Sequence, residues 1–217
     1  MTLSDVQIER YSRQIIVARI GGRGQERILA ARIAITGEWR DIESPLAYLV
    51  GAGVGAIELH FGAGNRTARG ELATAMRSLN HEVSVSISSG APTRQAGISL
   101  ILIGSGNSIE TAKGYANSAC IKSSVVARLD SPGLVAVLPA RSPCIRCADT
   151  SLMGPFGARG ENSDFVTMVA TAEAFKLAAG CIDNPAPALI AFKGYESTVR
   201  AASAPSGCVC SRQKGNR

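Results

Sequence analysis

The chain has 217 residues, 46% of them apolar, and a formal net charge of +6, enough to bury a substantial core in one large domain spanning 1–217. Its longest apolar run, Leu46 to Ile57, is too short for a transmembrane helix and holds three glycines, and no basic-then-apolar signal opens the chain, so a globular, soluble, cytoplasmic protein without a membrane partner is expected. The charge is scattered apart from a modest cluster at Arg212, Lys214 and Arg217, and aromatics are 5% with none among those tail charges, which argues against a nucleic-acid reader and for a solvated basic surface.

Asp5 to Ala18 has a helical pattern, Gly21-Gly22 breaks it, and Gln25 to Ala31 leads into a first strand at Arg32 to Thr36. Ser44 reads as the cap of a helix with Pro45 in its first turn, a place that suits a residue lacking an N–H. Ala56 to Phe61 is a second strand, Arg66 to Leu79 a helix with apolar positions at Leu72, Ala75, Met76 and Leu79, and Glu82 to Ser88 a third strand by alternation. The continuous apolar run Ile98 to Ile103 has the character of a buried central strand, and Ser108 to Ile121 follows as a helix. Ser124 to Leu129 and Leu134 to Leu138 are strands joined by Asp130-Ser131-Pro132-Gly133. A helix from Asp164 to Ala179, stopped by Gly180, precedes a terminal hairpin of Ala188 to Phe192 and Ser197 to Ala202. This alternation predicts an α/β fold with a doubly wound, mostly parallel, Rossmann-like sheet. N-terminal helices occupy 1–31, the core 32–140, and a cysteine loop, helix and C-terminal strands 141–210.

Between the first strand and its helix, where an α/β protein usually binds a nucleotide phosphate, stands Gly37-Glu38-Trp39-Arg40-Asp41-Ile42-Glu43-Ser44-Pro45. A phosphate cradle needs small residues so that backbone N–H groups approach the anion. Only Gly37 qualifies; Trp39 would fill the volume of a phosphate, and Glu38, Asp41 and Glu43 would repel its charge. The loop reads as closed to nucleotide, with Trp39 as a plug rather than a partner anchor.

Six cysteines are too few for a disulfide scaffold in a chain of this length. Four form two close pairs, Cys144-Ile145-Arg146-Cys147 and Cys208-Val209-Cys210, which together can supply four thiolates to a tetrahedral structural Zn2+. A redox CxxC should instead open a helix, and no strong helix pattern follows Cys147. Cys120 and Cys181 read as packing residues. Of the two histidines, His60 reads as a partly buried polar tip at a strand end.

Arg10-Tyr11-Ser12-Arg13-Gln14, Gly24-Gln25-Glu26, Ser44-Pro45-Leu46-Ala47, Gly51-Ala52-Gly53-Val54-Gly55, Asn117-Ser118-Ala119-Cys120, Pro143-Cys144-Ile145-Arg146-Cys147 and Ala172-Glu173-Ala174-Phe175-Lys176-Leu177 occur in that order. In this order they resemble the ThiF/MoeB/HesA family, prokaryotic relatives of the ubiquitin-activating enzymes, over nearly the whole chain. The resemblance implies a domain that dimerises, binds ATP with magnesium, and adenylates the C-terminal glycine of a small ubiquitin-like or sulfur-carrier protein. It also implies that Cys208 and Cys210 complete the zinc site.

The chain departs from the family where the chemistry lies. His60-Phe61-Gly62-Ala63-Gly64 holds no carboxylate for the ribose, the family's lysine aligns with Ala68, and its magnesium aspartate aligns with Gly106, although Asn107 matches. Arg66, Arg69 and Asp130 are the residues placed to compensate. Losing the cradle, the ribose acid and the metal acid together is hard to offset, because removing one electrostatic stabiliser alone costs about a hundredfold in rate or more. ATP and Mg2+ binding is therefore in doubt, with Gly37 and Asn107 the remnants of a degenerate site. What survives is Arg13, which the resemblance places across a dimer in the partner's site. The expected protein is an ATP-site-deficient partner, in a homo- or heterodimer with a ThiF/MoeB-like protein. The alternatives are a divergent active adenylyltransferase and an ATP-independent protein- or peptide-binding module.

Overall fold

The computed structural model describes residues 2–61, 67–88, 96–105, 112, 123–139, 145–148, 152, 154–182 and 185–203. Helix α1 (Asp5–Ile15) starts on a capping box, in which Ser4 Oγ accepts from the Gln7 N–H and the Gln7 side chain accepts from the Ser4 N–H. It ends three residues before the expected Ala18, and α2 (Gly21–Ala30) leads into β1 (Arg32–Gly37).

The next helix begins earlier than its sequence signals suggest. α3 (Trp39–Gly51) takes Glu38 as its N-cap residue, so Ser44 and Pro45 lie inside the helix instead of at its start. A proline in a helix interior costs about 3 kcal/mol through its missing N–H and its ring clash. The stripe Ile42, Leu46, Leu49 and Val50 is fully buried in the main core, and burying each such side chain contributes about 1.5–3 kcal/mol. Core burial outweighs the proline, and the expected loop from Gly37 to Pro45 is helix from Trp39 onward, with Gly37 ending β1 and Glu38 as the N-cap residue.

The remaining elements are β2 (Ala56–Phe61), α4 (Thr67–Leu79), β3 (Ser84–Ser88), β4 (Ile98–Ile103), β5 (Ser123–Arg128), β6 (Gly133–Leu138), α5 (Ile145–Ala148), α6 (Ser163–Ala179), β7 (Ala188–Lys193) and β8 (Glu196–Ala201). The helix expected over Ser108 to Ile121 lies outside the described residues except for the buried Ala112. Helix α6 ends where expected, at Gly180, whose left-handed φ of 64° terminates it. A single turn, α5, forms immediately after Cys144, where no helix was expected.

The described strands form one eight-stranded sheet in the order β3-β2-β1-β4-β5-β6-β7-β8. Pairing is parallel from β3 through β5 and antiparallel from β5 through β8, which makes this the expected doubly wound sheet with a C-terminal hairpin. One face buries Ile33, Ile35, Leu59, Leu100, Leu102 and Val125 together with α3 and α6 residues. The other buries Ile101, Ile103, Val126, Leu134, Ala136 and Leu138 with Ile145 and Ala148 of α5 and Ala202. β1 lies between β2 and β4, so the winding direction reverses there, and the crevice beyond the carboxyl ends of β1 and β4 is where such a sheet binds ligands.

Candidate functional site

Gly37 ends β1 and Gly104 follows β4 directly, so these two glycines flank the crevice. The missing Cβ of Gly37 is used by packing: a Cβ there would stand 3.0 Å from Leu102 Cβ and 3.1 Å from Leu102 O. Gly104 makes room for a side chain of α3, since a Cβ there would collide with Asp41 Oδ2. In place of a phosphate cradle, the first turn of α3 puts a carboxylate against the end of β4.

Asp41 is 2% exposed and faces Arg159, whose Nη2 stands 2.7 Å from Asp41 Oδ1 and 3.6 Å from Oδ1 of the exposed Asp164. The contact is a close buried ion pair with Arg159 Nη2 within donor distance of Asp41 Oδ1, while Arg159 Nη1 is buried without a hydrogen-bond partner. Burial pushes the Asp41 carboxyl above its ordinary range; Arg159 and Arg40 offset only part of that, and the charge of Glu38 adds to the rise. Across the same opening Ser105 Oγ donates to Glu38 Oε1, and Glu38 Oε2 pairs with Arg40 Nη2 at 3.2 Å. Trp39 is half-buried and packs on the main core.

Beside the crevice, at the end of β5, Arg128 and Asp130 form a second buried pair. Arg128 Nε donates to Asp130 Oδ1 at 2.9 Å, Nη1 to Gly154 O at 2.9 Å and Nη2 to Pro155 O at 2.7 Å, while the Gly157 N–H donates to Asp130 Oδ2 at 2.9 Å. The Arg128 guanidinium also lies 5.6 Å from the centre of the Phe156 ring. Burial acts to raise the Asp130 carboxyl, but Arg128 and the Gly157 N–H more than offset it and hold it below the usual range. Asp130, one of the residues placed to compensate for lost catalytic groups, is thus committed to a structural clamp.

The other sequence-nominated residues fall as follows. His60 is fully buried, at 1% exposure, instead of presenting a partly exposed tip; its Nε2 lies 3.4 Å from Glu58 Oε1 on β2, two residues before it. Arg13 is exposed on α1, while Arg10 Nη2 donates to Leu79 O at 2.5 Å. Arg66, Asn107, Cys144, Cys208 and Cys210 lie outside the described residues, as do the side chains of Arg69 and Cys147. Cys181 is a free thiol packed on the main core, as expected of a packing residue. Sequence reasoning missed Arg159 and Arg128. The available signal was Asp41 itself, an acid on the same helix stripe as Ile42, Pro45 and Leu49, which requires a cationic partner somewhere in the fold.

No protein-family model and no curated protein sequence matches the chain. Solved structures do. E. coli MccB solved with ATP is 14% identical with a TM-score of 0.66, over 92% of this chain and 72% of that one. E. coli MccB without a named ligand gives 13% identity and a TM-score of 0.68 over 95% and 73% of the two chains. PaaA gives 15% identity and a TM-score of 0.60 over 93% and 75%. What this chain shares with them is the fold. Among the described residues no helix is long and apolar enough to cross a membrane.

Proposed function

We propose that this chain is a ThiF/MoeB/HesA-type member of the ubiquitin-like and sulfur-carrier-protein activating superfamily, with its own nucleotide site closed, acting as the partner of an active homologue. The order of the sequence motifs supports the superfamily, and so does a fold shared with MccB, which has been solved with ATP. The observation that carries the closure is the crevice between Gly37 and Gly104, filled by the Asp41–Arg159 pair and spanned by the Glu38–Ser105 hydrogen bond. Among the described residues a phosphate brought there faces the carboxylates of Asp41 and Glu38, a lining that does not fit ATP.

Arg13 is the group this chain offers a partner. It is exposed, and among the described residues it makes no hydrogen bond or ion pair, unlike Arg10 on the same helix. Val6 at 69% and Ile16 at 79% exposure lie on or beside the same helix, an apolar surface suited to a second subunit. The zinc staple is part of the proposal: Ile145 and Ala148 flank Cys147 in sequence, and they share one buried cluster with Ala202. The stretch from Ala202 to Cys208 reaches about 20 Å when extended, enough to bring both cysteine pairs to that face.

Isothermal titration of the chain with ATP and magnesium is expected to show no binding, and measurable binding sinks the closed-site reading. Co-purification should recover an active homologue, whose adenylation rate should fall when Arg13→Ala replaces the wild-type chain. An unchanged rate removes Arg13 from the proposal. The second reading, a divergent adenylyltransferase, is favoured by the likeness to MccB solved with ATP and with N-formylated MccA. The same titration separates the two.

A further inference from the structure

Arg159 has a fixed base and two acids within reach. Its backbone is fastened to the strand end: Asp130 and Arg159 form an antiparallel bridge, the Gly160 N–H donates to Leu129 O at 2.8 Å, and the Ser131 N–H donates to Ala158 O at 3.0 Å. Its side chain bridges Asp41 inside the crevice at 2.7 Å and the fully solvated Asp164 outside it at 3.6 Å. The inner contact engages only one of the two terminal nitrogens: Nη2 faces Asp41 Oδ1, and Nη1 is buried without a hydrogen-bond partner.

We propose that Arg159 is a proton-coupled side-chain gate over the β1–β4 crevice, closed while it bridges ionised Asp41 and Asp164 and open when protonation of Asp41 leaves it on Asp164 alone. Opening needs only a rotation of the Arg159 side chain, because the backbone that carries it stays hydrogen-bonded to Leu129 and Ser131. The groups facing Asp41 are Glu38 and Arg40 from its own helix, Arg159 from the segment above, Asp164 from α6, and Gly104 with Ser105 from the β4 end. Glu38 is paired with Arg40 and Ser105, and of the two cations that favour the charged Asp41 Arg159 acts more strongly than Arg40. The open state has its own compensation. A cavity of about 80 Å3 between α3 and α6 is lined by Asp41, Asp164 and Thr167, and Thr167 Oγ1 is buried without a hydrogen-bond partner, an available acceptor for the O–H of a neutral Asp41. The upward shift of the Asp41 carboxyl has the sign this gate needs: the charged form is disfavoured in the fold, so acidification releases the arginine.

The inference rests on the closed-crevice reading and is tested apart from it. Side-chain nitrogen NMR of Arg159 in the full chain is expected to show hindered guanidinium rotation while Asp41 is ionised and free rotation once acidification protonates it. Asp41→Asn should remove the hindered signal at every pH. Asp164→Asn, at a solvated site that leaves folding intact, should move the release to lower pH because the open position is lost. A guanidinium signal indifferent to pH, a hindered signal persisting in Asp41→Asn, or an unmoved release in Asp164→Asn overturns the gate. ATP binding by the wild-type chain overturns the closed-site reading and is measured independently.

Discussion

The hydroxyl of Tyr11 accepts a hydrogen bond from Asn80 Nδ2 at 2.9 Å and donates one to Glu82 Oε2 at 3.2 Å, so a single buried phenol ties α1 to the turn after α4. Its ring also lies against Gly53, where φ is +85° and a Cβ would stand 2.6 Å from Tyr11 Cζ. Tyr11→Phe keeps the ring and removes both hydrogen bonds, while Asn80 Nδ2 retains its bond to Val50 O at 2.9 Å. The expected loss in urea denaturation is about 1–2 kcal/mol. Burial raises the Tyr11 hydroxyl above its ordinary value, with the charge of Glu82 adding to the effect. The stability linked to the neutral phenol is therefore complete below the unfolded value, about 10, and is lost as pH rises through the folded one. Tyr11→Phe should show a weaker alkaline decline than the wild type.

Asp130 responds to pH in the opposite sense. Its carboxyl is held down by Arg128 and the Gly157 N–H despite burial, so its contribution is present above the unfolded carboxylate value and is lost as pH falls through the lower folded one. Asp130→Asn leaves Arg128 buried with an uncompensated charge, and the expected loss near neutral pH is about 3 kcal/mol. The difference from wild type should shrink in acid, once the native carboxylate is itself protonated. A pH-independent difference would assign the effect to packing.

The sheet was legible because its signals are local. The run Ile98–Ile103, apolar at every position but Ser99, announces a strand buried on both faces, and it sits between β1 and β5. Gly180 stops α6 through its own left-handed backbone. The site was less legible because its determinants are tertiary. Ser44-Pro45 carries a genuine helix-start pattern, and only the burial of Ile42 and Leu46 against the sheet shows that the helix already exists by then. The excess of acid after β1 was visible as hostile to phosphate, yet Arg159, which neutralises Asp41, comes from a glycine-rich stretch with no pattern that points to α3. His60 looked like a strand-end tip, and its burial follows from its central place in the sheet, paired with Thr36 of β1 and Ser88 of β3.

The zinc proposal predicts a stoichiometric metal. Elemental mass spectrometry of the purified chain should find one zinc per molecule, and Cys147→Ser and Cys208→Ser should each lower that content and the thermal midpoint together. Structural zinc sites contribute folding free energy outright, so a strong chelator should reproduce the lower midpoint in the wild type and have little further effect on either variant. Full zinc occupancy in Cys208→Ser would exclude the second pair from the site.

Gly104 supplies a test of how the crevice is filled. Its φ is not in the left-handed region, so an alanine there brings no backbone strain. Any penalty comes from the new Cβ, which would collide with Asp41 Oδ2 and stand 3.1 Å from Arg159 Nη1. Gly104→Ala alone should destabilise the chain by about 1–3 kcal/mol, the range for overpacking a well-filled site. In an Asp41→Ala background the obstructing carboxylate is gone, and the same substitution should cost little, giving a coupling energy between the two positions of about 1 kcal/mol or more. Additive effects would mean that Asp41 does not occupy the space at the end of β4, and the closed crevice would lose its principal support.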